Sequence, residues 1–408
     1  MRGLGLVGAV AVAAALGGLA LAGCNSGSST PVITGPTLAP TLPPASVIEY
    51  NIPTAASLPF GIAEGSNGNM WFSENATGKI GQVTPSGAIN EVALPSGNSS
   101  EPEDIANGPN GDVWFVESGA SKIGVIDPSD SELVAEYTTP SANAGPVGMA
   151  SDPTNGDVMW FAEYNTGELC SVSGAGVIAC YAITGTGVAP APDDVTVTNN
   201  PNNSGTPAVW FLDVSNNAVG VMTFPGPTFT EYGIPTADSI PEFLTVGPDG
   251  NIWFTEGNTD NIGRLTITGT PSIEEVQTPS SAEIQTVPWG ITVSPEDNEI
   301  WVAESNAGQV ARVTTGFVIT EYGIPADAAG EGTTAVDVAP GPDTSGGAAE
   351  DLWFTDGSVN GSVEGTDQVG KIQLADLGLS SSRKPLSELH VSKTHEIPLA
   401  HGMVVHRL

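Results

Sequence analysis

No histidine occurs in the first 389 residues of this 408-residue chain; the four it has are His390, His395, His401 and His406. That absence excludes a Ser-His-Asp set and an imidazole proton carrier from nearly all of the sequence. The four tail histidines have no metal-site spacing, and disorder or an edge strand is the better reading of that segment. Bases are almost as scarce, with ten Lys and Arg against 46 acids, a net charge of −36. Between residues 47 and 376 there are 44 acids and five bases (Lys79, Lys122, Arg264, Arg312 and Lys371). A body this acidic repels phosphate backbones, so nucleic acid is excluded as a partner. Solubility is the plain reason for such acidity, with a salty habitat and cation binding as alternatives. Three cysteines make no Cys-rich zinc pattern, and no glycine-rich phosphate loop appears. What the chain has in abundance is Gly (51) and Pro (33), which suits many turns and short strands rather than long helices. With 39% hydrophobic residues over this length, a repeat or multi-domain body is expected.

The N-terminus carries an address. Arg2 precedes an apolar run from Leu4 to Ala22, which ends in Leu21-Ala22-Gly23-Cys24. One positive charge, an apolar stretch and small residues before a cut site make residues 1–23 a secretory signal. The Leu-Ala-Gly-Cys ending resembles the lipobox of bacterial lipoproteins, which implies that the Cys24 thiol takes a diacylglycerol before cleavage. Residues 24–46, uncharged and rich in Pro, Ser and Thr, read as a flexible tether. The expected location is therefore an exported, membrane-anchored lipoprotein, periplasmic or at the cell surface. It would touch the membrane through the anchor alone. Residues 47–376 form the expected body and 377–408 a C-terminal tail.

Internal repeats decide the fold class. Tryptophan recurs at 71, 114, 160, 210, 253, 301 and 353, followed by Phe or, once, Val302. An acid stands three residues after each: Glu74, Glu117, Glu163, Asp213, Glu256, Glu304 and Asp356. Such spacing is the length of a four-stranded propeller blade. One unit shows the strands: Pro241 to Val246, a Gly247-Pro248-Asp249-Gly250 turn, Asn251 to Thr255, Asn261 to Thr266, and Ser272 to Gln277. Adjacent Trp and Phe in a strand point to opposite faces, so both faces must be buried, as in a sheet sandwiched between two neighbours. The fourth strand carries Glu, often followed by Tyr, at Glu91, Glu136-Tyr137, Cys180-Tyr181, Glu231-Tyr232, Glu275 and Glu321-Tyr322, six copies for seven tryptophans. The seventh copy, Glu49-Tyr50, lies ahead of the first blade. The sequence thus predicts an all-β, seven-bladed β-propeller of four-stranded antiparallel blades. The N-terminal strand, Val47–Pro53, closes the ring against Val369–Leu374. A rival closing strand exists in the tail at Thr394–Pro398. The chain is expected to be a monomer.

The phrases Gly250-Asn251-Ile252-Trp253-Phe254-Thr255-Glu256, Asn261-Ile262-Gly263-Arg264-Leu265 and Thr230-Glu231-Tyr232-Gly233-Ile234-Pro235 are similar to the repeat of the streptogramin B lyase (virginiamycin B lyase) family. The resemblance spans about residues 47–375; looser relatives are NHL and gluconolactonase-type propellers. It implies Mg²⁺-assisted opening of a cyclic depsipeptide antibiotic by elimination. The family's proton chemistry uses a histidine directly after the proline that opens an inner strand, with a glutamate two residues before it. Here that position holds Phe60, Glu103, Val147, Asp193, Glu242 and Trp289, and in the last blade Val336 with no preceding proline. Glu101-Pro102-Glu103 keeps the leading glutamate but has Glu in the histidine's place.

Positions that differ between blades are the informative ones. The candidate ligand-binding residues are Phe60, Glu103, Asp193, Glu242 and Trp289. Of these, Glu103, Asp193 and Glu242 are metal candidates for Mg²⁺ or Ca²⁺, which prefer oxygen ligands. Asp104, Asp194 and Asp337 bring further carboxylates to inner-strand starts. The aromatics can stack on a ligand ring or plug the channel. A small molecule, a sugar or a peptide is the expected ligand. The seven acids after the tryptophans read as scaffold that satisfies backbone donors in a repeated loop. The favoured function is a ligand-binding or non-catalytic extracytoplasmic propeller. The alternatives are a Mg-dependent carbon-oxygen lyase of the virginiamycin B type and a gluconolactonase-like hydrolase, so catalysis stays open. Finally, Cys170 and Cys180 flank a Gly174-Ala175-Gly176 hairpin symmetrically, which predicts a disulfide between them.

Overall fold

The computed structural model describes residues 41–42, 46–185, 187–200, 205–279, 284–325, 333–343, 350–357 and 367–377. The expected signal at 1–23, the expected lipidation site Cys24 and the histidine-bearing tail lie outside them. Among the described residues no helix is long and apolar enough to cross a membrane.

Among the described residues, twenty-eight strands form seven four-stranded antiparallel sheets. Six blades are consecutive in sequence: blade 1 from Pro59 to Ala93, blade 2 from Pro102 to Thr138, blade 3 from Pro146 to Ala182, blade 4 from Pro192 to Gly233, blade 5 from Pro241 to Gln277 and blade 6 from Pro288 to Gly323. Blade 7 is composite. Its three inner strands come from Ala335–Pro342, Glu350–Asp356 and Gln368–Ile372, and its outer strand is Val47–Asn51. The register runs from Val47 opposite Ile372 to Asn51 opposite Gln368. It places Glu49 opposite Gly370, as Glu91 lies opposite Gly81 in blade 1. The N-terminal strand therefore supplies the missing seventh Glu-Tyr copy in register. The outer edge of Gln368–Ile372 is filled, which leaves no place there for Thr394–Pro398.

The Trp-Phe pair explains why the sheets stack. Seven separate cores lie between blades, and each takes the Trp of one blade and the following blade's Phe or Val. Trp71 packs with Phe115, Trp114 with Phe161, Trp160 with Phe211 and Trp210 with Phe254. Trp253 packs with Val302, Trp301 with Phe354, and Trp353 with Phe72, which closes the circle. Trp71, Trp114, Trp253, Trp301 and Trp353 are all buried to within 1%. Each such side chain contributes on the order of 3 kcal/mol by leaving water. The Phe ring lies flat on the third strand. A Cβ at Gly81 would sit 2.1 Å from the Phe72 ring, so glycine is required beneath it in blade 1; in blade 3 the residue opposite Phe161 is Cys170. Where blade 6 carries the smaller Val302, Ala311 takes the glycine's place.

One detail extends beyond the sequence reading, and a second agrees with it. The stretch read as tether gives way to packed chain at Thr41. Leu42 is buried against Trp301, Ile324 and Leu374, and its N–H donates to the Gly323 carbonyl at 2.8 Å. In blade 3, Cys170 pairs directly with Cys180 and the two are bridged, with Cα atoms 4.1 Å apart. Gly176 supplies the left-handed turn residue (φ 80°) that the hairpin needs.

Candidate ligand site at the mouth of the ring

The innermost strand of every blade opens with a β-bulge. In blade 1, Pro59 pairs with Glu74 and Ile62 with Phe72, so Phe60 and Gly61 together oppose Ser73. The same shift recurs at Glu103-Asp104, Asp193-Asp194, Glu242-Phe243, Trp289-Gly290 and Val336-Asp337, and between Val147 and Met149. Bulges re-aim side chains. Here they turn the residue after the opening proline into the mouth. The turn before the bulge is bent by non-glycine residues in the left-handed region: Leu58, Glu101, Ile240 and Val287, with φ from 43° to 52°. Glu101 therefore works as backbone: its carbonyl accepts from the Ser118 N–H and hydroxyl.

The second bulge residue follows a rule across blades. Asp104, Asp194 and Asp337 each accept the N–H of their own next residue and one from the following blade. Asp104 takes the Met149 N–H at 2.5 Å, Asp194 the Leu244 N–H at 2.9 Å and Asp337 the Ile62 N–H at 3.1 Å. The preceding blade has glycine at the equivalent place: Gly61, Gly148 and Gly290. A Cβ on Gly290 would lie 2.2 Å from an Asp337 carboxylate oxygen. These three aspartates thus join neighbouring blades at the axis, and both their oxygens are committed to backbone. Burial, opposed by those hydrogen bonds, pushes Asp104 up to about 6 and Asp337 up to about 8, with Asp104's charge adding to the rise at Asp337. Asp194 is raised well above the usual carboxylate range by burial and then by Asp104.

Above them lies a cavity of about 40 Å³, lined by Phe60, Glu103, Val147, Asp193, Glu242 and Phe243, with Asp104, Asp194 and Gly148 at its base. A water needs roughly 10–15 Å³ by this measure, so the cavity holds a small head group rather than a whole antibiotic. Four of the five residues expected from sequence, Phe60, Glu103, Asp193 and Glu242, meet there. Trp289 does not line it. Phe60 leans across the axis and contacts both Phe243 and Trp289, each with ring centroids 6.0 Å apart, so Trp289 buttresses Phe60. Phe60 is thereby wall and plug at once. Phe243 was not foreseen, because at the position where other blades carry Gly or Asp its role is set by contact with blade 1. Ser118, just beyond the Trp114-blade acid, donates to Glu103 Oε1 at 2.8 Å and fixes that carboxylate at the rim.

A Mg²⁺ or Ca²⁺ site needs several oxygens converging on one point. Among the described residues, the trio of His, Cys, Asp or Glu ligand atoms all within 4.8 Å of one another is Glu163, Cys170 and Cys180, and the two sulfurs are bridged. Glu103, Asp193 and Glu242 are spread more widely than that. The mouth thus offers separated carboxylates and aromatic faces around a small cavity.

Three solved structures resemble the chain along most of its length. A streptogramin B lyase is 29% identical with a TM-score of 0.64, over 80% of this chain and 96% of that one. A selenomethionine-substituted virginiamycin B lyase from Staphylococcus aureus is 27% identical with a TM-score of 0.64, covering 80% and 98%. A catalytically inactive histidine-to-alanine variant of the Staphylococcus aureus virginiamycin B lyase, with quinupristin, is 27% identical with a TM-score of 0.65 over the same shares. The sequence model of that family matches residues 43–205 and 189–386, which takes in every blade described above. On the repeat, the closed ring and this match, the chain belongs to the Virginiamycin B lyase family.

Proposed function

We propose that this protein is a non-catalytic, ligand-binding propeller, held outside a membrane by lipid on Cys24, whose mouth takes the positively charged group of a small molecule. One observation carries the reading: the seven residues at the second position of the inner strands include no imidazole. They are Phe60, Glu103, Val147, Asp193, Glu242, Trp289 and Val336. Loss of one histidine is associated with catalytic inactivity in the Staphylococcus aureus relative. Without such a group an elimination would have to move its proton on another side chain, such as a carboxylate. What the mouth has instead is acid and aromatic. Carboxylates at Glu103, Asp193 and Glu242 attract a cation, and the Phe60 and Phe243 faces add cation–π attraction. The cavity's size suits an ammonium head with the rest of the ligand outside. A second reading, a Mg-dependent carbon-oxygen lyase, is favoured by the family match and would have to move its proton on a carboxylate such as Glu103.

Binding is measured by calorimetry and thermal shift with n-butylammonium, tetramethylammonium, Mg²⁺, Ca²⁺ and glucose as probes. An organic cation is expected to bind and to raise the melting temperature, as a native-state ligand must. Phe60→Leu keeps bulk but removes the π face, and should weaken binding by about 5–30-fold for a cation–π contribution of about 1–2 kcal/mol. Glu242→Gln should weaken it as well. Binding of glucose or of a divalent ion, with neither organic cation bound, would overturn the ligand class.

A further inference from the structure

The acids that follow the tryptophans are not what a repeated loop scaffold requires. Only the two aspartates serve backbone donors: Asp213 takes the Ala191 and Asn216 N–H groups, and Asp356 takes that of Thr334. The glutamates are fully buried and direct one oxygen elsewhere. Glu74, Glu163 and Glu256 accept a threonine hydroxyl three residues on, from Thr77, Thr166 and Thr259, on Oε2. Glu304 Oε2 accepts from Gln309. Oε1 of Glu74, Glu256 and Glu304, and both oxygens of Glu117, meet no N–H or O–H donor. Glu136 and Glu231, outer-strand carboxyls facing Glu117 and Asp213, also have an oxygen without a donor.

Blade 3 shows where Oε1 points. There Cys180 stands in the outer-strand glutamate's place, and its Sγ is 3.9 Å from Glu163 Oε1. In blades 1, 2, 5 and 6 the glutamate therefore faces a carboxyl across the third strand, as Asp213 does in blade 4. The facing pairs are Glu74 with Glu91, Glu117 with Glu136, Asp213 with Glu231, Glu256 with Glu275 and Glu304 with Glu321. Two acceptors held together out of water repel unless something between them donates.

We infer that each of these five blades is closed by a carboxyl–carboxylate pair sharing one proton, which makes the propeller an acid-stabilised ring that loosens as the protons are lost. The proton stays covalently on one carboxyl and is donated as O–H···O to the other, so each pair carries a single negative charge. The surroundings contain few cations to do this work. Lys79 pairs with Glu91 at 2.8 Å and Lys122 with Glu136 at 2.6 Å. The equivalent place in blades 4, 5 and 6 holds Ala218, Asn261 and Gln309. Asp260 adds negative charge near Glu304, and Glu168 near Glu163. A metal ion is a poorer filler, since no third carboxylate approaches any of these pairs closely enough among the described residues.

The proton affinities agree. Burial first, and the facing carboxyl after it, push Glu74, Glu117, Glu231 and Glu256 up to about 7 and Glu304 to about 8. Against its own burial, Glu91 is held low by hydrogen bonds from Lys79 and Thr54, so the proton of that pair resides on Glu74. A group whose folded value is raised contributes its full stability below the unfolded value of 4.5. That contribution is lost as pH climbs through about 7 to 8.

The test is the thermal transition of the full chain from pH 5 to pH 8.5, with proton exchange on unfolding followed at pH 6. The melting temperature should fall by on the order of 10 °C across that range, and unfolding at pH 6 should release protons. Glu256→Gln replaces the O–H donor by an N–H that does not titrate. Its amide nitrogen takes the place of Oε1, while its oxygen still accepts from Thr259. It should melt higher than the parent at pH 8.5, and its pH dependence should be flatter. The exposed Glu132→Gln, which removes the same charge elsewhere, should leave the pH dependence unchanged. Melting that rises with pH, proton uptake on unfolding, or identical behaviour of the two variants would overturn the inference. Loss of stability in a chelator at pH 5 would assign the pairs to a metal instead.

Discussion

Replacing Lys371 by methionine is expected to destabilise the ring by about 3–5 kcal/mol, the usual consequence of stripping one partner from a buried ion pair. Lys371 is wholly buried, and its Nζ lies 3.1 Å from Asp351 Oδ2, itself only 4% exposed. The ammonium also lies over the Trp353 ring, 5.1 Å from its centroid, and donates to the Pro85 carbonyl at 3.4 Å. It thus ties blade 7 to the outer hairpin of blade 1. Burial pushes the Asp351 carboxyl up, Lys371 draws it back down, and Asp343 and Asp376 push it up again. Methionine keeps the apolar stem and leaves Asp351 buried without its cation. Denaturant unfolding measures the loss, and Lys371→Met with Asp351→Leu should recover much of it, because the isolated charge is then gone. A single variant as stable as the parent would show that the pair is dispensable.

A second large effect is expected at the ring's seam. Protein beginning at residue 54 should lose its cooperative thermal transition, whereas protein ending at residue 377 should melt like the parent. The missing segment provides five residues of sheet pairing, and Tyr50 stacks on Trp353 at 6.1 Å and fills the space above Gly87. Without it, the outer edge of Gln368–Ile372 is open and two interblade cores are uncovered. A Cβ on Gly87 would come within 2.0 Å of the Tyr50 ring, so blade 1 is shaped to receive this strand. Retained stability after the N-terminal truncation, with unfolding after the C-terminal one, would assign closure to the tail.

The fold was legible because its signals are local and repeated. A Trp followed by Phe or Val in a strand demands two buried faces wherever it occurs, and seven such steps at blade spacing admit few architectures. Even the seam could be read, since Glu49-Tyr50 is a fourth-strand phrase without a blade of its own. The disulfide was legible for the same reason: both cysteines lie equally far from one hairpin turn. The mouth was legible only in part. That Phe60, Glu103, Asp193 and Glu242 converge follows from strand polarity. That Phe60 crosses the axis to Phe243 and Trp289 depends on side-chain size and on what six other blades leave empty. The aspartate links were hidden by distance along the chain: Asp337 serves the Ile62 N–H, 275 residues away. Their signature, glycine in one blade ahead of aspartate in the next, is visible only once blades are aligned around a closed ring. The carboxyl pairs were hidden differently. Each acid after a tryptophan reads alone as loop scaffold, and pairing appears only when the third strand places one carboxyl diagonally across from the other, in a region that excludes water.

Central to the proposed function is that this ring keeps the family's scaffold while its mouth offers no imidazole to carry the proton of an elimination. Incubation of the purified chain with Mg²⁺ and a type B streptogramin, followed by mass spectrometry, tests it most directly. Linear product is expected to stay at the level of a control without protein, from pH 6 to pH 8. Turnover clearly above that control, with product bearing the mass and unsaturation of an elimination and lost in Glu103→Gln, would contradict it and make the mouth an active site that runs on a carboxylate.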